Sequence, residues 1–389
     1  MGLKSDALYS IMAAGVEYME GQKQTITKIV ITGGPCAGKT TAMSWIQNAF
    51  IQKGYMVLFV DETATELISG GAPWKFTKCN RDYQFRLTQL MLAKELAFTE
   101  IAKTFDAEKV LIVCDRGALD NRAYMSDEEF KYVLKRLDTN EVALRDHYDA
   151  VFHLVTAAKG AEQFYTLANN AARYETVEEA RAVDDALIAS WTGHPHLRVI
   201  DNRVDFDEKM LYLIKEISAF LGEPRPMDTR RKFLIAYPDV RELAQRPNCQ
   251  SVDILQAYLK SEIPGEVIRI RQRGQNGNYI YFKTRKRQIE GMKRIELEER
   301  LTQDEYLELL MQADPDYRPI RKQRYCLSEN GLYYNIDVFP QWTDQALMEI
   351  ELYSEDQEVK MPEGIQVIRE VTGEDEFTNP YIARIKKEN

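Results

Sequence analysis

Gly33-Gly34-Pro35-Cys36-Ala37-Gly38-Lys39-Thr40 fits the pattern GxxxxGK[ST] at every fixed position. These residue types suit one chemistry, the cradling of phosphate. Glycines let backbone N–H groups turn toward an anion without a Cβ clash. A helix that begins at the loop adds its dipole to the same spot. Lys39 can reach the outer phosphates, and the Thr40 hydroxyl, with Thr41 next to it, can ligate Mg2+. Cys36 sits inside the loop as a small residue that fits. Two acids belong to the same chemistry. Asp115 ends the apolar run VLIVCD and can hold the Mg2+ shell. Glu62 follows the run MVLFV, where a carboxylate would serve as a base toward an attacking hydroxyl or as a substrate anchor.

Positioning these groups takes a sheet. KIVIT (28–32), MVLFV (56–60), VLIVCD (110–115), AVFHLV (150–155) and LRVID (197–201) are short and rich in Val, Ile and Leu, as buried parallel strands are. Segments of helical length separate them. The alternation predicts an α/β three-layer domain over 25–221, with a parallel sheet and helices on both faces. Residues 1–24 read as an amphipathic lead-in helix. GEPRPMD, with two prolines and a glycine, reads as a linker over 222–228.

Beyond the linker the period changes to two. VIRIRQR puts Arg269, Arg271 and Arg273 on one strand face and Ile268 and Ile270 on the other. RIELEE groups Arg294, Glu296 and Glu298, and MEIEL sets Glu349 and Glu351 opposite Met348, Ile350 and Leu352. Asn276-Gly277 between two such runs is a hairpin signal. Charged rows on many strands fit a sandwich with solvated faces. They also fit a barrel with its charges turned inward and its apolar outside covered by helices such as LTQDEYLELLMQ. An interior holding both signs would suit a polyphosphate with a divalent metal.

Both halves resemble known families. ITGGPCAGKTT, VDETATELISGGAP, CDRGALDNRAYM and NNAARYE together resemble the P-loop domain of ribosylnicotinamide-kinase-like proteins and of the TRPL translocation defect protein family. The resemblance implies a nucleotide-kinase-like fold. It implies a lid segment with Asn169 and Arg173, the latter stabilising the transferring phosphoryl group, with Arg116 and Arg122 as further candidates. By analogy with the fold, the Ile200-Asp201-Asn202 loop would face the base, with Asn202 as its contact. No [NT]KxD motif is present, so the sequence leaves ATP and GTP open. RRKFLI, VIRIRQRG, YIYFKTRKR, RIELEERL, LYYNIDVF and ALMEIELY resemble the CYTH, or triphosphate tunnel metalloenzyme, superfamily over 229–389. That resemblance implies an α+β domain with an antiparallel β-barrel tunnel. Lys232, Arg269, Arg271, Lys283, Arg285, Arg294 and Arg324 would bind phosphates there. Glu296, Glu298, Asp337, Glu349 and Glu351 would be tunnel acids, some of them ligands for Mg2+ or Mn2+. The family opens with ExExK, whereas this chain reads Asp228-Thr229-Arg230-Arg231-Lys232. An arginine in place of an acid weakens metal binding and strengthens anion binding, so hydrolysis in the tunnel and binding without hydrolysis both stay open.

Composition bounds the reading. Of 389 residues, 44% are hydrophobic and 29% charged, enough for a packed core in more than one domain. A net charge of −10 argues against nucleic acid as the partner. Five scattered cysteines without a CxxC pair predict reduced thiols in the cytoplasm. No run approaches the roughly 18 apolar residues of a membrane span. The expectation is a two-part enzyme that binds a Mg-nucleoside triphosphate and transfers or slowly hydrolyses its terminal phosphoryl group. Its tunnel would take a phosphorylated small molecule. The alternative is a GTP-binding adaptor whose tunnel takes a phosphoinositide head group, with peripheral membrane contact.

Overall fold

The strand β1 (Thr25–Gly33) lies at the centre of a five-stranded parallel sheet in a computed structural model of the chain. The structure describes residues 24–165, 176–223, 225–226, 230–289, 293–329, 332–352, 357 and 359–385. The other strands are β2 (Met56–Val60), β3 (Lys109–Asp115), β4 (Ala150–Leu154) and β5 (Leu197–Ile200), in the order β2-β3-β1-β4-β5. Alternate residues of β1 enter two cores, as a strand buried on both faces requires. Ile29 and Ile31 pack with Phe50, Leu111, Phe152 and Leu213, while Val30 packs with Ile112, Tyr148 and Trp191. The helices α1 (Lys39–Gln52), α2 (Thr63–Ser69), α3 (Asn80–Ala102), α4 (Val177–Trp191) and α5 (Phe206–Phe220) supply the outer layers. This is the three-layer α/β arrangement that the alternating pattern predicts. Residues 1–23 of the expected lead-in helix, and Asn169 and Arg173, lie outside the described residues.

A second sheet of ten antiparallel strands follows. Its members are β6 (Arg225–Pro226), β7 (Arg230–Ala236), β8 (Cys249–Leu259), β9 (Glu266–Gln275), β10 (Asn278–Ile289), β11 (Lys293–Leu301), β12 (Ile320–Glu329), β13 (Leu332–Val338), β14 (Gln345–Glu351) and β15 (Val367–Glu370). The order is β15-β7-β14-β13-β12-β8-β9-β10-β11-β6. The segment expected to be only a linker thus contributes β6, two residues paired with Lys293 and Arg294 at the sheet edge. Among the described residues no ladder joins β6 to β15. Closure comes from curl instead: side chains from β7 through β11 line one cavity of about 260 Å3. The helix α6 (Gln303–Leu310) covers part of the outer face, where Tyr306 packs against Ile270, Tyr281 and Leu301.

The interior is polar in the middle and differs at its two ends. At the end marked by Ala236, Gln345 and Val338, the inner rows turn apolar. Leu234, Tyr258, Ile320, Phe339 and Leu347 cluster there with Trp342 and Phe377. At the opposite end, marked by Arg230, Glu351 and Leu332, the first sheet's domain abuts the strands. The Tyr333 hydroxyl accepts from the Gly193 amide at 3.0 Å, Arg198 pairs with Glu351 at 3.2 Å, and Arg300 donates to the Asp146 carbonyl. The charged rows of the second half therefore face a shared chamber, as the inward-charged barrel requires.

Candidate functional site: a phosphate loop and a charged chamber

The turn after β1 has the backbone the phosphate pattern calls for. Gly38 has φ 91° and Cys36 has φ 56°, both left-handed, which turns successive N–H groups to one side. Helix α1 then starts at Lys39 with no side-chain cap, so its first N–H groups are left for an anion. Gly34 is pressed against Asp184: an added Cβ would lie 2.8 Å from its carboxylate oxygen. Gly33, Gly34 and Ala37 are buried, Pro35, Cys36, Gly38 and Lys39 half-buried, and Thr40 and Thr41 exposed.

Glu62, Asp115, Arg116 and Asp120 surround Lys39. Burial drives the Lys39 ammonium below its usual pKa and Arg116 adds to this, while Glu62, Asp115 and Asp120 oppose it. An ammonium held among acids yet partly stripped of water is poised for phosphate. Asp115 ends β3 as the sequence reading expects. Burial raises its pKa, and its buried Oδ1 has no hydrogen-bond partner. Glu62 accepts from Arg116 Nε at 2.6 Å and from the Thr65 hydroxyl at 3.0 Å. Although burial opposes ionisation, Arg116 and then Lys39 hold the Glu62 carboxyl down at about 2. A carboxylate so firmly ionised is a weak proton acceptor near neutrality and a good anchor. Arg116 is itself left-handed, at φ 71°. Arg122, the other candidate, points to Glu141 at 2.5 Å and away from this group.

Behind the loop lies a hydrogen-bonded floor that sequence reasoning missed. Asp184 on α4 accepts from the Gly34 amide (3.0 Å), the Thr156 amide (3.1 Å) and Lys159 (2.9 Å), and meets His153 Nε2 at 2.9 Å. Burial works against this carboxylate, but His153 and then Lys159 hold it well below the usual range. Asp120 accepts from Thr32 and from Trp191 Nε1. The Asn202 side chain joins this floor. Its amide donates to the carbonyls of Thr156 and Lys159 (2.8 Å each), and its oxygen accepts from Lys209 at 2.6 Å. Lys209, pushed down to about 8 by burial, also donates to the Val155 carbonyl. The neighbour that does face outward is Phe206, 42% exposed, with its ring edge against Gly38.

In the chamber, cations and acids alternate. Glu298 takes Arg271 (2.9 Å), Thr284 (3.0 Å) and His196 (2.7 Å). Glu296 takes Lys286 at 2.9 Å and Arg269 at 3.6 Å, and Glu349 takes Lys232 at 3.0 Å and Arg324 at 3.6 Å. The cations still outrun their partners. Arg269 Nε and Arg271 Nε are buried without hydrogen bonds. Burial, together with Arg269, Arg273 and Arg324, brings Arg271 down to about 10 despite Glu298.

Four expectations for the chamber need correction or stay apart. Lys283 and Arg285 lie on the other face, because Thr284 stands opposite Arg269 and Phe282 opposite Arg271 in the β9–β10 ladder. Lys286 takes the inward position instead, and Lys322 joins from β12. Asp337 is a buried structural anion, held by both nitrogens of a fork from Arg324 (2.7 Å each) and by Lys322 at 2.6 Å. Two cations already offset its charge. The Arg294 side chain lies outside the described residues, although its backbone pairs with Gln288.

The two metal expectations fare differently. Among the described residues, no three carboxylate, imidazole or thiolate groups converge as they would around an ion. In the chamber each acid already faces cations, so the arrangement as it stands fits an anion better than a metal. Beside the phosphate loop, one carboxylate and one hydroxyl suffice when phosphates complete the shell. The unpartnered Asp115 oxygen and the exposed Thr40 fit that role.

Residues 28–209 match a family model described as an AAA domain. This supports nucleotide binding by the first sheet's domain. No curated protein matches the chain. Among the solved structures that match it are the following two. One is titled "The crystal structure of the hypothetical protein NE1496", at 27% identity over 40% of this chain and 97% of that one, with a TM-score of 0.30. The other is titled "The crystal structure of the inorganic triphosphatase NE1496", at 26% identity over 41% and 97%, also with a TM-score of 0.30. No helix among the described residues is long and apolar enough to cross a membrane.

Proposed function

We propose that this chain binds a Mg-nucleoside triphosphate at the 33–41 loop and transfers or slowly hydrolyses its terminal phosphoryl group, while the chamber holds a second, polyphosphorylated compound. The observation that carries the first half is the pairing of an uncapped α1 with a half-buried Lys39 and the unpartnered Asp115 oxygen. Thr40 and Asp115 would hold the divalent cation, which when bound neutralises phosphate charge. The loop amides and Lys39 cradle the outer phosphates, and Glu62, ionised and fixed by Arg116, anchors the acceptor's hydrogen-bonding groups. With Asn202 turned inward, Phe206 is the surface left for stacking a base. Phe206→Ala should weaken nucleoside triphosphate binding about 5- to 100-fold, the usual scale for a base on an aromatic ring. Phe206→Trp should restore it. Equal affinities across the series, measured by titration calorimetry, would remove Phe206 from the site.

The second half rests on the guanidinium nitrogens without partners in the chamber. Tripolyphosphate should bind there and stabilise the fold. A ligand at roughly 100 times its Kd contributes about 2.7 kcal/mol, or several degrees in Tm. Run in a Lys39→Ala background, a thermal melt reports the chamber rather than the phosphate loop. Arg271→Ala in that background should abolish the shift. A melt that tripolyphosphate leaves unmoved would refute the chamber reading, and phosphate release during the same incubation would show turnover as well as binding.

A further inference from the structure

The chamber is not made by the second sheet alone. Its wall includes Pro195, His196, Arg198, Asp201, Tyr212 and Phe220, all from the first sheet's domain. His196 directly precedes β5 and Arg198 lies within it. Both reach acids of the other domain, His196 to Glu298 at 2.7 Å and Arg198 to Glu351 at 3.2 Å. Glu298 shares its other oxygen with Arg271, one of the cations a polyphosphate would need. An incoming anion must therefore compete with Glu298 and Glu351 for the same cations, and the competition is decided partly by residues of the nucleotide-binding half.

The same strand leads back to the phosphate loop within a few residues. Ile200 ends β5, and Asn202 just beyond it donates to the carbonyls of Val155 and Thr156. The Thr156 hydroxyl donates to the Pro35 carbonyl inside the loop, and Lys209 joins Asn202 to the Ala37 carbonyl. Every link is a buried or half-buried hydrogen bond, so displacement at one end is opposed or assisted at the other.

We propose that the chamber's anion site is a two-domain site whose floor is His196 and Arg198, and that the nucleotide held at the phosphate loop sets its affinity through β5. The site accepts a short polyphosphate, or the phosphate end of a larger molecule, because its cations lie between an apolar cluster at one end and the nucleotide-binding domain at the other. The proposal rests on the reading of both sites given above.

Tripolyphosphate titrated into the full chain tests it, with the phosphate loop kept full throughout. One arm holds a saturating Mg-nucleoside diphosphate, the other a saturating non-hydrolysable triphosphate analogue. The affinity of the chamber should differ between the arms by about fivefold or more, the usual lower scale of coupling between sites. His196→Gln, and separately Arg198→Gln, should bring that ratio close to one. Unchanged nucleotide binding in each variant shows that its first domain is folded. A wild-type ratio within twofold of one, or a full ratio kept by both variants, would overturn the proposal while leaving both sites in place. Failure of tripolyphosphate to bind in either arm would remove the chamber reading and this proposal with it. Failure of the nucleotides to bind would remove the phosphate-loop reading instead.

Discussion

Lys39→Ala will reduce nucleoside triphosphate turnover by about 10³-fold while leaving the melting temperature unchanged or slightly raised. The catalytic side of this expectation follows from geometry. Lys39 is the first residue of α1, next to the left-handed Gly38, so its ammonium stands where the outer phosphates would lie. Removing one preorganised donor from a developing phosphoryl charge typically costs two to three orders of magnitude. The stability side follows from burial, which lowers the Lys39 pKa in the ligand-free fold. A charge that the fold disfavours is not what holds the fold together. Lys39→Met, which keeps most of the stem, should behave alike in both assays. Measured phosphate release that falls less than tenfold would mean that the loop does not host the chemistry. A large loss of Tm would mean that Lys39 is a structural residue after all.

How far the sequence could be read depended on whether local pattern fixes a side chain's direction. The phosphate loop was legible because its glycines and its lysine act through the backbone at their own positions, and strand, turn and helix follow in order. Asp115 was legible because a strand end in an α/β sheet points to the crevice. Arg269 and Arg271 were legible because isoleucines alternate with them, so parity was fixed by hydrophobicity. In β10 the run Lys283 to Arg287 is basic at every position but Thr284, and parity there carries no hydrophobic signal. Its register is set across the ladder by Arg269 opposite Thr284, which is tertiary information. The direction of the Asn202 side chain was illegible for a similar reason. Analogy with the fold sets its loop on the base side, while the side chain bonds the carbonyls of Thr156 and Lys159 and meets Lys209 of the next helix. Asp184, His196 and Arg198 gave no local signal because their roles exist only once a helix packs under the loop and two domains meet.

Asp337→Asn will be the most destabilising single change in the chamber, by about 3 to 5 kcal/mol. Asp337 is 3% exposed and accepts from Arg324 through both oxygens and from the nearly inaccessible Lys322. An asparagine of the same shape keeps the volume but leaves the buried Lys322 and the half-buried Arg324 with only Glu349, 3.6 Å from Arg324, to offset them, and breaking a buried pair from one side costs on this scale. The pH dependence follows from the shifts. Burial opposes the Asp337 charge, but Arg324 and then Lys322 hold its pKa below the ordinary carboxylate value. Its contribution is therefore complete above the unfolded pKa of about 4 and is lost as pH falls through the lowered folded value. The variant should lack that part of the acid sensitivity. Lys322 acts in the opposite sense. Burial already brings it down to about 8, and without Asp337 its ammonium becomes harder still to keep. The unfolded chain then binds the extra proton, so the variant should regain stability as pH rises from 7 toward 10. Adding Lys322→Met to Asp337→Asn should recover part of the loss, because it removes one of the stranded charges. Denaturant melts of the wild type, the single variant and the double variant at pH 7 and 9 decide the matter: if the single variant loses under 1 kcal/mol, or the double variant is worse than the single one, Asp337 is not the counter-ion of a buried cation pair.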